Sequence, residues 1–126
     1  MLKLISAEAM YQIGDHNRNF EFVKSGSGTN IVFAPGSFST SAAWRGIQER
    51  LPNEYQFIST SLCGYGETTE SRTLSDNNIE HGIEVLLNIV EQLCQPVHLV
   101  GYSFGGLVCF AAALRKKIEY QKYNYL

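Results

Sequence analysis

The sequence predicts an α/β fold, a mainly parallel sheet with flanking helices, in a single domain over residues 1–126. Short apolar runs typical of buried strands alternate with segments of helical periodicity, the pattern of parallel strands joined by helical crossovers. Of the residues, 44% are hydrophobic and 17% are charged, so the chain has enough apolar surface to form a core. Right-handed crossovers would place helices on both faces of the sheet.

Four segments are predicted as strands. Residues 20–24 (FEFVK) have strand character, and a turn sequence, SGSGTN, leads from them to the apolar run IVFAP at 31–35. Such a continuous run is typical of a strand buried on both faces. The third strand is YQFISTSL at 55–62, and the fourth is residues 97–101. The glycines before the second strand are not followed by Gly-Lys-Ser/Thr, which favours a hairpin turn over a phosphate-binding loop.

The first predicted helix lies between the second and third strands. A hydroxyl side chain caps it, three apolar residues share one of its faces, and Pro52 follows its end. The candidate caps and the apolar residues are Ser39, Thr40, Ser41, Trp44, Ile47 and Leu51.

The second predicted helix runs from about Asn78 to Cys94 and has the clearest periodicity in the chain. Its apolar residues recur at helical spacing: Ile79, Ile83, Leu86, Leu87, Val90 and Leu93. Asn77 and Glu80 have the spacing of a capping box, and Pro96 marks the stop. A third helix follows the fourth strand and extends to about Lys117.

The turn between the fourth strand and the third helix carries the chemistry. Residues 101–105, Gly-Tyr-Ser-Phe-Gly, match G-x-S-x-G, and the preceding strand and following helix are the context that a nucleophile elbow requires. Gly101 and Gly105 avoid a clash where strand and helix converge. Ser103 would occupy a strained backbone position, and the Phe104 N–H at the helix start can face an oxyanion.

From about residue 20 to about residue 115, the chain resembles the N-terminal half of an α/β-hydrolase. Three segments carry the resemblance, in the order the family has them: IVFAPGSFSTSAAW, SLCGYGET and PVHLVGYSFGGLV. The resemblance implies an incomplete α/β-hydrolase fold with Ser103 as the nucleophile. It also implies an oxyanion hole formed by the backbone N–H groups of Ser37 and Phe104.

Two departures from the family pattern are present. Pro35-Gly36 stands where the family often has His-Gly, and Ser61-Leu62-Cys63 stands where many members have Asp-x-Arg. The first change leaves the proposed backbone donor in place, and the second concerns a loop that is usually structural.

The partners that a nucleophilic serine needs are not found in the expected order. The family order is Ser, then Asp or Glu, then His, whereas Glu119 is the only acid after Ser103 and no histidine follows it. His98 lies five residues before Ser103, about 16 Å away along the strand, and is interpreted as a packed or edge residue. His81 is interpreted as a surface residue, and His16 as part of a polar turn.

The end of the chain departs from the family pattern. Residues 118–126 form an atypical polar tail, with three tyrosines in the last seven residues, where another parallel strand is expected. We therefore expect a fragment or a truncated or frameshifted reading frame. The edge of the strand at Val97–Val100 would then be exposed, which favours self-association.

Two functions remain open at this point. The first is a serine hydrolase by lineage, acting on a small ester- or amide-type acyl substrate but inactive as this chain. The alternative is a non-catalytic half-domain or pseudoenzyme that acts as an interaction module.

Several classes of function are excluded. The ten Lys and Arg residues are scattered and the net charge is −2, so no nucleic-acid surface is expected. Cys63, Cys94 and Cys109 are odd in number and form no C-x-x-C motif, which favours reduced thiols in the cytoplasm over disulfides or zinc. The apolar run at 107–114 is too short to span a membrane.

No cofactor and no metal are expected. Gly64-Tyr65-Gly66 follows a strand as in a dinucleotide-binding fingerprint, but the third glycine position holds Thr69.

Overall fold

A computed structural model describes the backbone of residues 9–15, 18–93 and 95–124, with side chains over 18–93 and 95–117. It contains five strands, β1 (Ala9–Asp15), β2 (Arg18–Gly26), β3 (Thr29–Ala34), β4 (Tyr55–Thr60) and β5 (Val97–Gly101). Three helices flank them, α1 (Arg45–Gln48), α2 (Glu80–Glu91) and α3 (Phe104–Asn124), and a 3₁₀ turn at Ser41–Trp44 precedes α1.

The five strands form one mixed sheet in the order β1-β2-β4-β3-β5. β3 is parallel to both of its neighbours, with Ile31 paired to Phe57 on β4 and to His98 on β5. β2 pairs antiparallel with β4 and with β1. The predicted α/β fold class is confirmed, and β1, which the sequence analysis did not assign, extends the sheet as an antiparallel hairpin with β2.

Helices cover both faces of the sheet, as predicted. β3 alternates its side chains between two apolar clusters, which is why its sequence is apolar throughout. Val32 and Ala34 belong to a large cluster with α2 and α3, whereas Ile31 and Phe33 pack with Trp44 on the opposite face. β3 is therefore buried on both faces, and it directs its carboxyl end toward Ser103.

The first helix is shorter than predicted. Thr40 is the cap, since its Oγ1 accepts a hydrogen bond from the Ala42 N–H at 3.4 Å, but only one turn of 3₁₀ helix and one of α-helix follow. Of the apolar residues predicted to share a helix face, Trp44 is buried whereas Ile47 is half exposed. Gly46, a weak helix former, lies in the middle of α1.

The other two helices differ from prediction at their ends. The capping position of α2 is Ile79, which makes no side-chain cap hydrogen bond, so the predicted capping box at Asn77 is not formed. Just before the helix, Asn78 Oδ1 accepts a hydrogen bond from the Glu80 N–H at 2.7 Å. The backbone of α3 continues as helix to Asn124, beyond the predicted end near Lys117 and into the segment expected to be an atypical tail. Cys94 and His16 lie outside the described residues.

Candidate active site

Ser103 lies at a sharp turn between a strand and a helix. β5 ends at Gly101, α3 begins at Phe104, and Ser103 has a φ of 55°. This left-handed conformation is uncommon for a residue with a side chain and costs about 1–3 kcal/mol, so the surrounding structure must hold it. The prediction of a strained serine between strand and helix is confirmed.

Backbone packing holds the turn in place. The Tyr102 N–H donates to the carbonyl of Ala34 at 3.2 Å, which ties the turn to the end of β3. A Cβ on Gly101 would meet the backbone of Gly105, and a Cβ on Gly105 would overlap the carbonyl oxygens of Ala34 and Pro35. The close approach of strand and helix therefore requires glycine at both positions, as the sequence predicted.

The loop after β3 packs against this turn. A Cβ on Gly36 would lie 3.4 Å from Ser103 Cβ, so the loop has not folded away from the serine. Ser37 and Phe104, the two predicted oxyanion donors, both line one cavity of about 130 Å³. Ser103 itself is exposed and is not among the residues that line the cavity.

The loop between β4 and α2 also lines this cavity, through Cys63, Arg72 and Asn78 among others. Arg72 makes a bidentate pair with Glu70, with N···O distances of 2.8 and 2.7 Å. The side-chain hydrogen bonds from Arg72 lower the pKa of Glu70 to about 2 and raise the pKa of Arg72. The charge of Arg72 is therefore balanced, and the cavity wall is neutral overall at this point.

The two described histidines lie in different surroundings. His98 is exposed on β5, the last strand of the described sheet, which agrees with its interpretation as an edge residue. His81 is not the surface residue that was predicted: its side chain is only 15% exposed and has two partners, Ser71 and Asp76. The sequence analysis missed both partners, although they lie within ten residues of His81 in the preceding loop.

No side chain in the described part of the chain forms a hydrogen bond with Ser103 Oγ. Within the same residues, no group of three His, Cys, Asp or Glu side chains is placed to hold a metal ion. Cys63 and Cys109 are free thiols, and burial raises the pKa of Cys109 to about 11. None of the described helices is long and apolar enough to cross a bilayer.

A family model described as alpha/beta hydrolase fold matches residues 29–121. The chain belongs to the alpha/beta hydrolase fold family. Among curated relatives of this chain, the pimeloyl-[acyl-carrier protein] methyl ester esterase of Aeromonas salmonicida (strain A449) is 33% identical over 89 residues. That match covers 71% of this chain and 34% of the esterase, so the chain spans about a third of the relative's length.

Solved structures show the same fold. The thioesterase domain from the curacin biosynthetic pathway matches with a TM-score of 0.77 at 19% identity, over 86% of this chain and 40% of the domain. An epoxide hydrolase from Vigna radiata matches with a TM-score of 0.73 at 20% identity, over 85% of this chain and 35% of the enzyme. At such identities these structures support the fold alone.

Proposed function

We propose that this chain is the nucleophile-bearing part of a serine hydrolase that acts on acyl esters. Ser103 is the nucleophile, and the backbone N–H groups of Ser37 and Phe104 form the oxyanion hole. The observation that carries the proposal is the φ of 55° at Ser103, between a parallel strand and the first residue of α3. The methyl ester esterase among the relatives supports an ester as the substrate class.

The described residues supply no base for Ser103. His98 is about 16 Å away along β5 by strand geometry, and the ring nitrogens of His81 are engaged by Ser71 and Asp76. A serine hydroxyl without a base is a weak nucleophile. In a comparable enzyme, loss of the histidine costs on the order of 10⁶ in kcat, so we expect Ser103-dependent ester hydrolysis by the 126-residue chain alone to be barely above background.

The test supplies a base from solution. Hydrolysis of p-nitrophenyl acetate is measured for the chain and for Ser103→Ala, with and without added imidazole. Free imidazole hydrolyses the ester equally in both samples, so its contribution cancels when the Ser103→Ala rate is subtracted. We expect no Ser103-dependent rate without imidazole and a clear one with it. Ser103-dependent turnover without imidazole would contradict the conclusion that Ser103 lacks a base. No difference under either condition would contradict the assignment of the nucleophile and favour the non-catalytic half-domain.

The oxyanion assignment has a matched pair of variants. Ser37→Ala should keep the imidazole-dependent rate, because only its backbone N–H is proposed to act. Ser37→Pro removes that N–H and should lower the rate by about 10²–10³-fold. Equal rates for the two variants, with both folded by circular dichroism, would rule out Ser37 as a donor.

We also propose that a second copy of the chain pairs along β5. β5 is the last strand of the described sheet, and Val100 is 38% exposed. Leu107, Phe110 and Leu114 on α3 add exposed apolar side chains at helical spacing. Sedimentation should show association that Phe110→Glu weakens, and a stable monomer would contradict it.

A cytoplasmic location is proposed as well, supported by the free thiols of Cys63 and Cys109.

A further inference from the structure

A Ser–His–Asp chain of hydrogen bonds lies outside the turn at Ser103. Ser71 Oγ is 2.9 Å from His81 Nδ1, and His81 Nε2 is 3.1 Å from Asp76 Oδ2. Ser71 and Asp76 belong to the loop between β4 and α2, and His81 lies in the first turn of α2. These are the three kinds of side chain that activate a hydrolytic serine, here brought together around a different serine.

For a neutral His81 ring, the two partners fix the tautomer. An ionised Asp76 carboxylate only accepts hydrogen bonds, so His81 Nε2 must carry the ring proton. Nδ1 of the neutral ring is then the acceptor, and the Ser71 hydroxyl donates to it. Cys63 Sγ lies 3.6 Å from Ser71 Oγ and can donate its S–H to that oxygen. The hydroxyl proton of Ser71 is thus directed at a base, and Asp76 stabilises the imidazolium that forms when the base takes it.

The surroundings admit a small molecule. Ser71 is half-buried, and its neighbours Cys63 and Arg72 line the cavity of about 130 Å³ described above. The His81 side chain is 15% exposed, which limits competition from water for Nδ1, whereas Asp76 is 63% exposed. Ser71 does not itself line the cavity, but its Oγ is 3.6 Å from Sγ of Cys63, which does. An electrophile in the cavity would lie beside Cys63 and Arg72, next to Ser71.

We propose that Ser71 is a second nucleophilic serine, activated by His81 and Asp76, that takes an acyl or phosphonyl group from a small electrophile. Ser71 Oγ attacks the carbonyl carbon of an activated ester, and its proton moves to His81 Nδ1. The new O–C bond forms as the bond to the leaving oxygen breaks, and the leaving group takes the proton from His81. With a fluorophosphonate, a P–O bond replaces P–F, fluoride leaves, and the proton passes to solvent.

Trypsin separates the two serines, which makes the test direct. Cleavage after Arg50, Arg72 and Arg115 places Ser71 in a peptide of residues 51–72 and Ser103 in a peptide of residues 73–115. The folded 126-residue chain is treated with a small alkyl fluorophosphonate, and adducts are located by mass spectrometry with fragmentation. We expect the adduct on Ser71, formed faster than in urea-denatured chain and absent from Ser71→Ala.

Variants of the partners show whether the hydrogen-bonded chain is responsible. His81→Gln keeps a polar side chain but no base, and the labelling rate should fall about 10²-fold. Asp76→Asn, at an exposed position, should lower the rate at least about 10-fold and carries the test if His81→Gln fails to fold. Ser75→Ala, in the same exposed loop, is the matched control and should leave the rate unchanged.

Two results would overturn the proposal. One is labelling of residues 51–72 no faster in the folded chain than in the denatured chain, including the case in which only residues 73–115 are labelled. The other is an unchanged Ser71 labelling rate in a folded His81→Gln or Asp76→Asn variant. Labelling of residues 73–115 alone would still support Ser103 as the nucleophile, so the two assignments fail separately.

Discussion

A catalytic serine needs a suitable backbone geometry and side-chain partners that take its proton, and two serines of this chain each have one of these. Ser103 has the backbone: a φ of 55°, a helix starting at the next residue, and exposure to solvent. Ser71 has the side chains: an imidazole nitrogen 2.9 Å away and a carboxylate behind it. Local shape and proton transfer are therefore separate properties, supplied by different parts of the fold.

The difference follows from what holds each serine. Main-chain atoms hold Ser103, because β3, β5 and α3 meet there at distances that admit only glycine at positions 101 and 105. Polar side chains hold Ser71 in a loop, through Cys63 and His81. Changes in side chains should therefore affect Ser71 locally, whereas changes in backbone packing at Ser103 should affect the whole sheet.

Gly105→Ala should have the largest effect. The new Cβ would overlap the carbonyl oxygens of Ala34 and Pro35, and neither backbone atom can rotate away. We expect the free energy of unfolding to fall by about 3 kcal/mol, at the upper end of the range for overpacking, as measured by urea denaturation. Gly46→Ala is the control, since nothing lies within 4 Å of its added Cβ. A loss no larger than that of the control would show that the turn at Ser103 is not held by backbone packing.

His81→Ala should have a smaller and local effect. It removes the hydrogen bonds to Ser71 and Asp76, which are worth about 1–2 kcal/mol together. Amide hydrogen exchange should become faster over residues 70–78 and stay unchanged in β5 and the start of α3. If hydrogen exchange became equally faster in both regions, the contrast between Ser71, held by local side chains, and Ser103, held by the packing of the sheet, would be wrong.

Glu70→Gln should have the smallest effect, and it should depend on pH. The hydrogen bonds from Arg72 hold the pKa of Glu70 at about 2, below its ordinary 4.5, so its contribution to stability is present above about pH 5. That contribution is lost as the pH falls through 2. Because Glu70 is 47% exposed, screening limits it to about 0.5 kcal/mol.

Urea unfolding at pH 7 and at pH 2 measures this contribution. The difference between the unsubstituted chain and Glu70→Gln should shrink toward zero at the lower pH. Glu67→Gln, at an exposed position of the same loop, is the control. A difference that is the same at both pH values would show that the Arg72 pair does not stabilise the wall of the cavity.

The sequence predicted those parts of the fold that local patterns define. The apolar run at 31–35 identified β3, the strand buried on both faces, and the spacing of apolar residues identified α2. The turn at Ser103 and its strained conformation were both predicted, because the glycines at 101 and 105 indicate that strand and helix approach closely there. In each case the residues that form the feature are neighbours along the chain.

Features set by distant contacts were missed. β1 was not assigned because its own residues show no clear strand pattern, and the strand is stabilised by its antiparallel pairing with β2. The interpretation of His81 failed for a related reason: its position beside an apolar stripe says nothing about how the preceding loop folds back on it. Side-chain partners in a loop depend on the path of that loop, which local periodicity does not encode.

The strand order also determines how long β3 waits for its neighbouring strands during synthesis on the ribosome. Ile31 of β3 pairs with Phe57 and with His98, residues that follow it by 26 and 67 positions. At about 5–20 residues per second, the second partner is synthesised about 3–13 s after Ile31. Throughout that interval one edge of the most apolar strand in the sheet has no neighbour. The steps at which a nascent chain would need a chaperone are therefore those between the synthesis of β4 and that of β5.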